Sequence, residues 1–461
     1  MKSKLLVFLV AGLACGSAAA AKVDVERLRA VISDTPDAVA PGCAVGVFRA
    51  GKVEALTAVG YADLEEKRPL DADTLFYAAS VSKQFTVLAI AKLVEAGRLG
   101  LDDDVRRYLP ELPQYERPVT VRMLILHTAG IRDSLGLLQM AGLGTADKND
   151  KDTALQLVFR QKQTNFTPGT EYSYSNGGYL LLAEIVERIG GVPFADFAKR
   201  ELLDPMGMKR SFFLNGPPPA MRNAAHGYVK AKDGEGYEIR DTYPRFSGSG
   251  GLMLTLDDLA RYEYDIEVGH KVWTPAVRRI MLTPGDFSNG EPAVRPGSGG
   301  LGYGGGLQIG WHQGQYVVQH GGGAEAFRHL VARLPERRLG VAVLCNRTDW
   351  PVESKLYRVV EAVEGDIFHA PVEDAQVSGR YHSDELQASY DLSLKDDTLT
   401  VRVVPRGGAE AGEPLQFKRE RNGTFKLRDM VLTVYEQGTG FNLDSSRISR
   451  LQFRKVGDGA D

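Results

Sequence analysis

The strongest constraint in this sequence is the run from Ser80 to Glu95, which has helical composition and almost no polar face. Phe85, Val87, Leu88, Ile90, Leu93 and Val94 fall on most sides of it, and Gly97 marks its end. Such a helix has to be covered nearly all round, so it belongs in the core of a layered domain. Runs able to cover it lie far apart in the chain. Cys43 to Phe48 and Val53 to Val59 read as strands joined by the turn Ala50-Gly51-Lys52. Tyr316 to Gln319, Phe327 to Leu334 and Leu339 to Leu344 read as three more, with Glu336-Arg337-Arg338 as a hairpin tip. Between these groups lie a helical patch near Thr153 to Arg160 and a helix from about Gly177 to Arg188, closed by Gly190-Gly191. A helix from Val352 to Glu364 follows the last strand. Strands at both ends with helices between predict an α+β layer.

The chain has 461 residues, enough for two domains. The pattern changes after residues 366–376 (IFHAPVEDAQV), which read as a linker. Beyond them come short alternating runs: Ala388 to Leu394, Leu399 to Val404, Leu415 to Lys418, Met430 to Tyr435 and Leu451 to Arg454. Turn residues separate them, Arg421-Asn422-Gly423 among them, so a small all-β barrel or sandwich is expected. The expected domain division is 1–21, 22–365, a linker at 366–378, and 379–461.

Residues 1–21 read as a signal peptide. Lys2 and Lys4 precede a short apolar run, and Ala18 to Ala21 offer small residues for cleavage. The implied location is exported, periplasmic or secreted, with a lipoprotein anchored through Cys15 as a lesser alternative. No later run is long and apolar enough for a membrane helix. With a formal charge of −3 there is no broad electrostatic case for a nucleic-acid partner. Cys43 and Cys345 are too few for a disulfide scaffold or structural zinc. Buried free thiols are the expected state, or one disulfide if their strands are neighbours.

Three short segments can carry chemistry. Ser80-Val81-Ser82-Lys83 places a hydroxyl and an amine almost one helical turn apart, with Cβ atoms roughly 5–6 Å apart. A serine hydroxyl is a weak nucleophile until a neighbour takes its proton, and a lysine held out of water can be that neighbour. Tyr174-Ser175-Asn176 offers a phenol for proton relay, and an amide that can accept from Lys83 and donate to a substrate carbonyl. His320-Gly321-Gly322-Gly323 follows a strand. Its glycines let a substrate lie against the edge, and the Gly323 N–H can point at it. His320 can donate to a substrate carboxylate, which implies a Michaelis constant sensitive to pH between about 5 and 8. Plainer readings stand beside these. Ser80 can cap a helix while Lys83 reaches solvent; Asn176 can cap the second helix while Tyr174 packs in the core; His320 can sit in a glycine-rich turn.

Taken together, S-x-x-K, Y-x-N and H-x-G in that order resemble the serine β-lactamase and penicillin-binding-protein superfamily. The nearest branch is that of class C β-lactamases, D-Ala-D-Ala carboxypeptidases, D-aminopeptidases and related esterases. Phe76 to Ala79, Leu124 to Gly130 (LILHTAG), Pro168-Gly169-Thr170, and Gly250-Gly251-Leu252 with Thr255 and Asp258 agree with it. The resemblance covers about residues 25–365 and implies a β-lactamase/transpeptidase-like fold. It implies Ser80, Lys83 and Tyr174 as catalytic, with Asn176, His320, Gly322 and Gly323 binding substrate or the oxyanion. The implied reaction is acyl transfer through Ser80, on a D-amino-acid peptide, a β-lactam or an ester. A carboxylesterase or a catalytically weak penicillin-binding protein is the alternative. His in place of the lysine of K-T-G weakens the expectation of strong β-lactamase activity. The tail at 379–461 resembles a lipocalin-like β-domain, and its expected role lies between stabilising module, lid and ligand binder. A binder that has kept the fold without the chemistry is a third class, opposed by the intact Ser80, Lys83, Tyr174 and Asn176.

The sequence holds no G-x-S-x-G, no H-E-x-x-H and no phosphate loop ending in Gly-Lys-Ser/Thr, so neither cofactor nor metal is expected. His127 reads as structural.

Overall fold

The computed structural model describes residues 23–456, apart from 34–38, 233, 296–299, 366, 369–373, 407–411, 420–423, 436–437 and 446–450. The signal-peptide reading of 1–21, Cys15, part of the linker and the Arg421-Asn422-Gly423 turn lie outside the described residues.

Seven antiparallel strands form the main sheet. Their order is Gly302–Tyr303, Gln308–His312, Gln315–Gly323, Arg328–Leu334, Leu339–Cys345, Cys43–Arg49 and Lys52–Val59. Segments far apart in sequence thus meet as the fifth and sixth strands of the sheet, where Leu339–Cys345 pairs with Cys43–Arg49. The run Leu339–Cys345 is buried throughout because both faces of the sheet are covered. Ala342 and Leu344 face one core with the Ser82–Glu95 helix. Val341, Val343 and Cys345 face another, beneath helices Val25–Val31 and Val352–Glu364. Period-two alternation sends neighbouring residues of one strand to opposite layers.

The two cysteines are joined, which corrects the expectation of free thiols. Antiparallel register puts Cys43 directly opposite Cys345, their Cα atoms 4.1 Å apart and the sulfurs bonded. Nothing in the local sequence of either strand states that the two are partners. The bridge ties residues 302 apart, and closing so long a loop restricts the unfolded chain strongly. Removing it by Cys43→Ala with Cys345→Ala is expected to cost about 2–5 kcal/mol, read as a lower midpoint in chemical denaturation. An unchanged midpoint would contradict this.

Helix boundaries differ from the sequence expectation at the places that matter for the site. Ser80 lies in a 3₁₀ turn, Ala79–Val81, and the α-helix begins at Ser82. The turn is entered through Ala79 at φ +47°, a left-handed conformation unfavourable for a residue with a Cβ. The second helix spans Asn176–Gly190 and its N-cap is Ser175, whose Oγ accepts the Gly178 N–H. The expected cap, Asn176, is the first helical residue, so its amide is released for other work. The helical patch becomes Lys151–Phe159, and His320 to Gly323 belong to the strand itself. No described helix is long and apolar enough to cross a membrane.

Residues 379–455 form a closed antiparallel barrel of eight strands, from Gly379–Ser383 to Leu451–Lys455, which pair with each other. Tyr381, Phe417, Phe425, Phe441 and Phe453 fill its interior with Leu392, Leu399 and Leu432. Phe441 and Phe453 stack with ring centroids 4.3 Å apart. A small barrel has room for a packed core or one small ligand, and here side chains occupy it.

Candidate active site

Three hydrogen bonds tie the nucleophile turn and the helix start to one stretch of chain. Ala78 N–H donates to the Leu252 carbonyl at 2.8 Å, and Leu252 N–H donates to Ser82 Oγ at 3.1 Å. Thr86 Oγ1 donates to the Gly248 carbonyl at 2.7 Å. The glycine-rich 247–252 stretch is therefore the floor on which the helix start rests. On the other side the Gln315–Gly323 strand comes very close. A Cβ on Gly322 would lie 2.4 Å from the Ala78 carbonyl oxygen, so only glycine admits this approach. The Thr255 and Asp258 pair also has a structural task. Thr255 caps helix Leu256–Tyr264, and the Asp258 carboxylate accepts the N–H groups of Lys209, Arg210 and Ser211.

Ser80 is half-buried, while Lys83 behind it is fully buried. Lys83 Nζ donates to Ser80 Oγ at 3.1 Å, to Asn176 Oδ1 at 2.9 Å and to the Ser249 carbonyl at 2.7 Å. These three acceptors match the three donors of an ammonium. Burial opposes the charge more strongly, and the Lys83 amine is pushed down to about 7, with Asp133 pulling the other way. Such an amine loses and regains a proton near neutral pH.

Tyr174 reaches the same point. Its phenol bonds Ser80, its ring lies 4.8 Å from Lys83 Nζ, and burial raises it well above its ordinary value. Burial disfavours the phenolate, which fits proton relay through a hydrogen-bond chain. Lys83 and Tyr174 thus meet at the Ser80 hydroxyl, and Asn176, nearly a hundred residues away in sequence, meets Lys83.

His320 is buried, and both ring nitrogens are engaged. Nδ1 donates to the Gly321 carbonyl at 2.7 Å, which leaves Nε2 to accept from Tyr303 Oη at 2.9 Å. Burial, then the Lys83 charge, push His320 down to about 3. The expectation that it titrates near neutrality is overturned, because water is excluded and a cation lies nearby. No ring N–H is left for a substrate carboxylate; His320 instead forms part of the wall behind Tyr174, with ring centroids 6.3 Å apart. Gly323 ends the strand opposite Arg328 and is exposed.

Sequence reasoning missed three contributors. Asp133 holds Asn176, Ser249 offers a carbonyl to Lys83, and Arg295 lies exposed with its guanidinium 5.7 Å from the Tyr174 ring. None carries a local signal: a carbonyl belongs to every residue, and a lone Asp or Arg in a loop has no periodicity. His127, which the sequence reads as structural, packs against the site. Its ring lies tilted against that of Tyr174 with centroids 4.2 Å apart, and Nδ1 accepts the Ser175 N–H.

Comparisons with known proteins agree with this architecture. Residues 28–364 match the β-lactamase family. Penicillin-binding protein 4* of Bacillus subtilis is 30% identical over 316 residues, 66% of this chain and 68% of that protein. A D-aminopeptidase of Cereibacter sphaeroides is 32% identical over 307 residues, 66% of this chain. The match spans only 57% of that D-aminopeptidase's length. Among solved structures, the octameric penicillin-binding protein homologue from Pyrococcus abyssi superposes with a TM-score of 0.64 at 24% identity. It covers 94% of this chain and 98% of its own, a likeness of fold that extends into the barrel. With its antiparallel sheet, its buried S-x-x-K helix and this family match, the chain belongs to the β-lactamase family of serine hydrolases.

Proposed function

We propose that the protein hydrolyses amide bonds by acyl transfer through Ser80, acting on peptides or amides that contain D-amino acids. One observation carries this reading: a lysine amine poised near neutrality donates to the hydroxyl of a half-exposed serine. In its neutral form Lys83 takes the Ser80 proton as the oxygen attacks a carbonyl carbon. The Ser80 N–H, at the start of the helix, and the Gly323 N–H hold the developing oxyanion. Tyr174 passes the proton from Lys83 to the leaving nitrogen, which departs as an amine. Water then attacks the ester, and the same groups return the proton to Ser80. Asn176 keeps one amide N–H beyond the one given to Asp133, and that N–H serves the substrate carbonyl. Arg295 supplies the positive charge for a substrate carboxylate, the task first expected of His320.

The similarity to a D-aminopeptidase and to a penicillin-binding protein supports D-amino-acid substrates. The Cys43–Cys345 bridge supports export to an oxidising compartment, in keeping with a signal peptide at 1–21. An esterase reading uses the same groups, since an ester needs less help at the leaving atom.

Incubation with a fluorophosphonate and with benzylpenicillin, followed by peptide mass spectrometry, tests the reading. The expected result is one adduct, on Ser80. An intact protein free of label under conditions that saturate a control serine hydrolase would count against it. Turnover of a D-Ala-D-Ala peptide, a D-amino-acid amide, a short-chain ester and a cephalosporin then separates the substrate classes. The D-amino-acid amide or peptide is expected to turn over fastest.

A further inference from the structure

Tyr174 and Asn176 sit at the join between irregular backbone and a helix, where a chain is not held by its own ladder of hydrogen bonds. The loop from His127 to Asp133 holds them instead. Ser173 N–H donates to the His127 carbonyl at 2.9 Å, and Ser175 N–H to His127 Nδ1 at 3.0 Å. Asn176 N–H donates to Asp133 Oδ2 at 2.7 Å, and the same oxygen accepts from Asn176 Nδ2 at 2.8 Å. The other oxygen, Oδ1, caps helix Ser134–Met140 through the Gly136 N–H at 2.8 Å.

A free asparagine amide can turn either its oxygen or its nitrogen toward a neighbour. Here the two ends are told apart. A carboxylate only accepts, so it takes the NH₂ group; an ammonium only donates, so it takes the oxygen, at 2.9 Å from Lys83 Nζ. Asp133 is the group that makes this choice unambiguous.

We propose that Asp133 is a positioning residue of the site, fixing the Asn176 amide so that its oxygen faces Lys83 and one N–H stays available to substrate. The inference rests on the acyl-transfer reading of Ser80 and Lys83. Asp133 acts through Asn176, and also through its charge, which favours the protonated amine while burial disfavours it. Lys83 also faces Ser80, the Ser249 carbonyl and the rings of Tyr174 and Tyr179, at 4.8 and 5.3 Å. Burial keeps both phenols neutral, and it keeps His127 and His320 neutral as well. Arg295 bears on Tyr174 and both histidines. Asp133 is therefore the anion acting on this amine among the described residues.

Asp133→Asn tests the proposal. Asparagine is as good a helix cap as aspartate, so Ser134–Met140 keeps its start while the charge is lost. The variant's kcat/KM is expected to fall roughly 10–100-fold, the worth of a hydrogen bond to a charged group. The acid limb of its pH profile is expected to move to lower pH by on the order of one unit, because an opposite charge has been removed. Asp133→Ser, another good cap without charge, should move the limb the same way, and Asp133→Glu should return it toward the native position. Lost rate with a native acid limb in both uncharged variants would reduce Asp133 to a helix cap and overturn the inference. Labelling of Ser80 by fluorophosphonate is measured alongside. Its absence in the native protein would overturn the acyl-transfer reading itself, whereas intact labelling with an unmoved limb strikes at Asp133 alone.

Discussion

Ser80→Ala is expected to lower kcat by on the order of 10⁴–10⁶-fold on every substrate class, with the fold intact. The size follows from the chemistry. Lys83 and Tyr174 both reach Ser80 Oγ, so the variant keeps the proton relay and oxyanion donors but loses the hydroxyl they activate. What remains is substrate binding and polarisation. Stability should change little, by about 1 kcal/mol, because the hydroxyl is half-exposed and its loss costs Lys83 one of three acceptors. Steady-state kinetics on an activated ester and on a D-amino-acid amide, with a thermal midpoint from the same preparation, would decide it. A rate within tenfold of native would remove Ser80 from the reaction.

Lys83→Met is expected to lower kcat/KM by roughly 10²–10⁴-fold, the usual worth of a general base, while leaving the midpoint unchanged or raising it. The two effects have opposite signs for one reason. The amine is fully buried, and burial holds it down to about 7. That penalty on its charge is the source of both its basicity and its cost to the fold. Methionine fills a similar volume without charge. The pH dependence follows. The native enzyme needs neutral Lys83, so kcat/KM rises as pH passes through about 7 and falls about tenfold per unit below it; the methionine variant should lack that limb. Stability has its own sign. The folded state holds Lys83 below the ordinary lysine value, so between about 7 and that value the unfolded chain binds more protons. Native stability therefore rises with pH through the window, as the cost of charging the buried amine is relieved, and below about 7 it carries that full cost without further pH dependence. The variant should lose that gain. His320 is pushed down to about 3 and stays neutral between pH 5 and 8, so it adds no limb there. A midpoint that falls by several degrees in Lys83→Met, with activity retained, would mean that Lys83 is a structural ion pair.

Much of the fold was legible because it is written in periodicity. The run Leu339 to Leu344 reads as a strand, and the structure extends it to Cys345, buried at every position. The helix expected near Val352 to Glu364 is found at Val352–Glu364, with Gly365 following it. The barrel's strands were legible from alternation, but alternation cannot tell a barrel from a sandwich; the pairing of Gly379–Ser383 with Leu451–Lys455 decides that. Both helix starts were misplaced: a 3₁₀ turn with no side-chain cap precedes the helix that begins at Ser82, and two good caps stand side by side at Ser175 and Asn176, where capping depends on which side chain reaches which N–H.

By itself the sequence determined that a lysine lies one turn from a serine on a helix with no wet face, and that a phenol and an amide follow in order. Residue type and spacing suffice for that, because helical geometry is local. Only the tertiary structure decided what those groups are worth. It joined Cys43 to Cys345, took His320 out of the titrating range, and brought Asp133 and Arg295 to the site from loops without pattern. Burial, register and the field of distant charges belong to the assembled molecule, and proton affinity depends on all three.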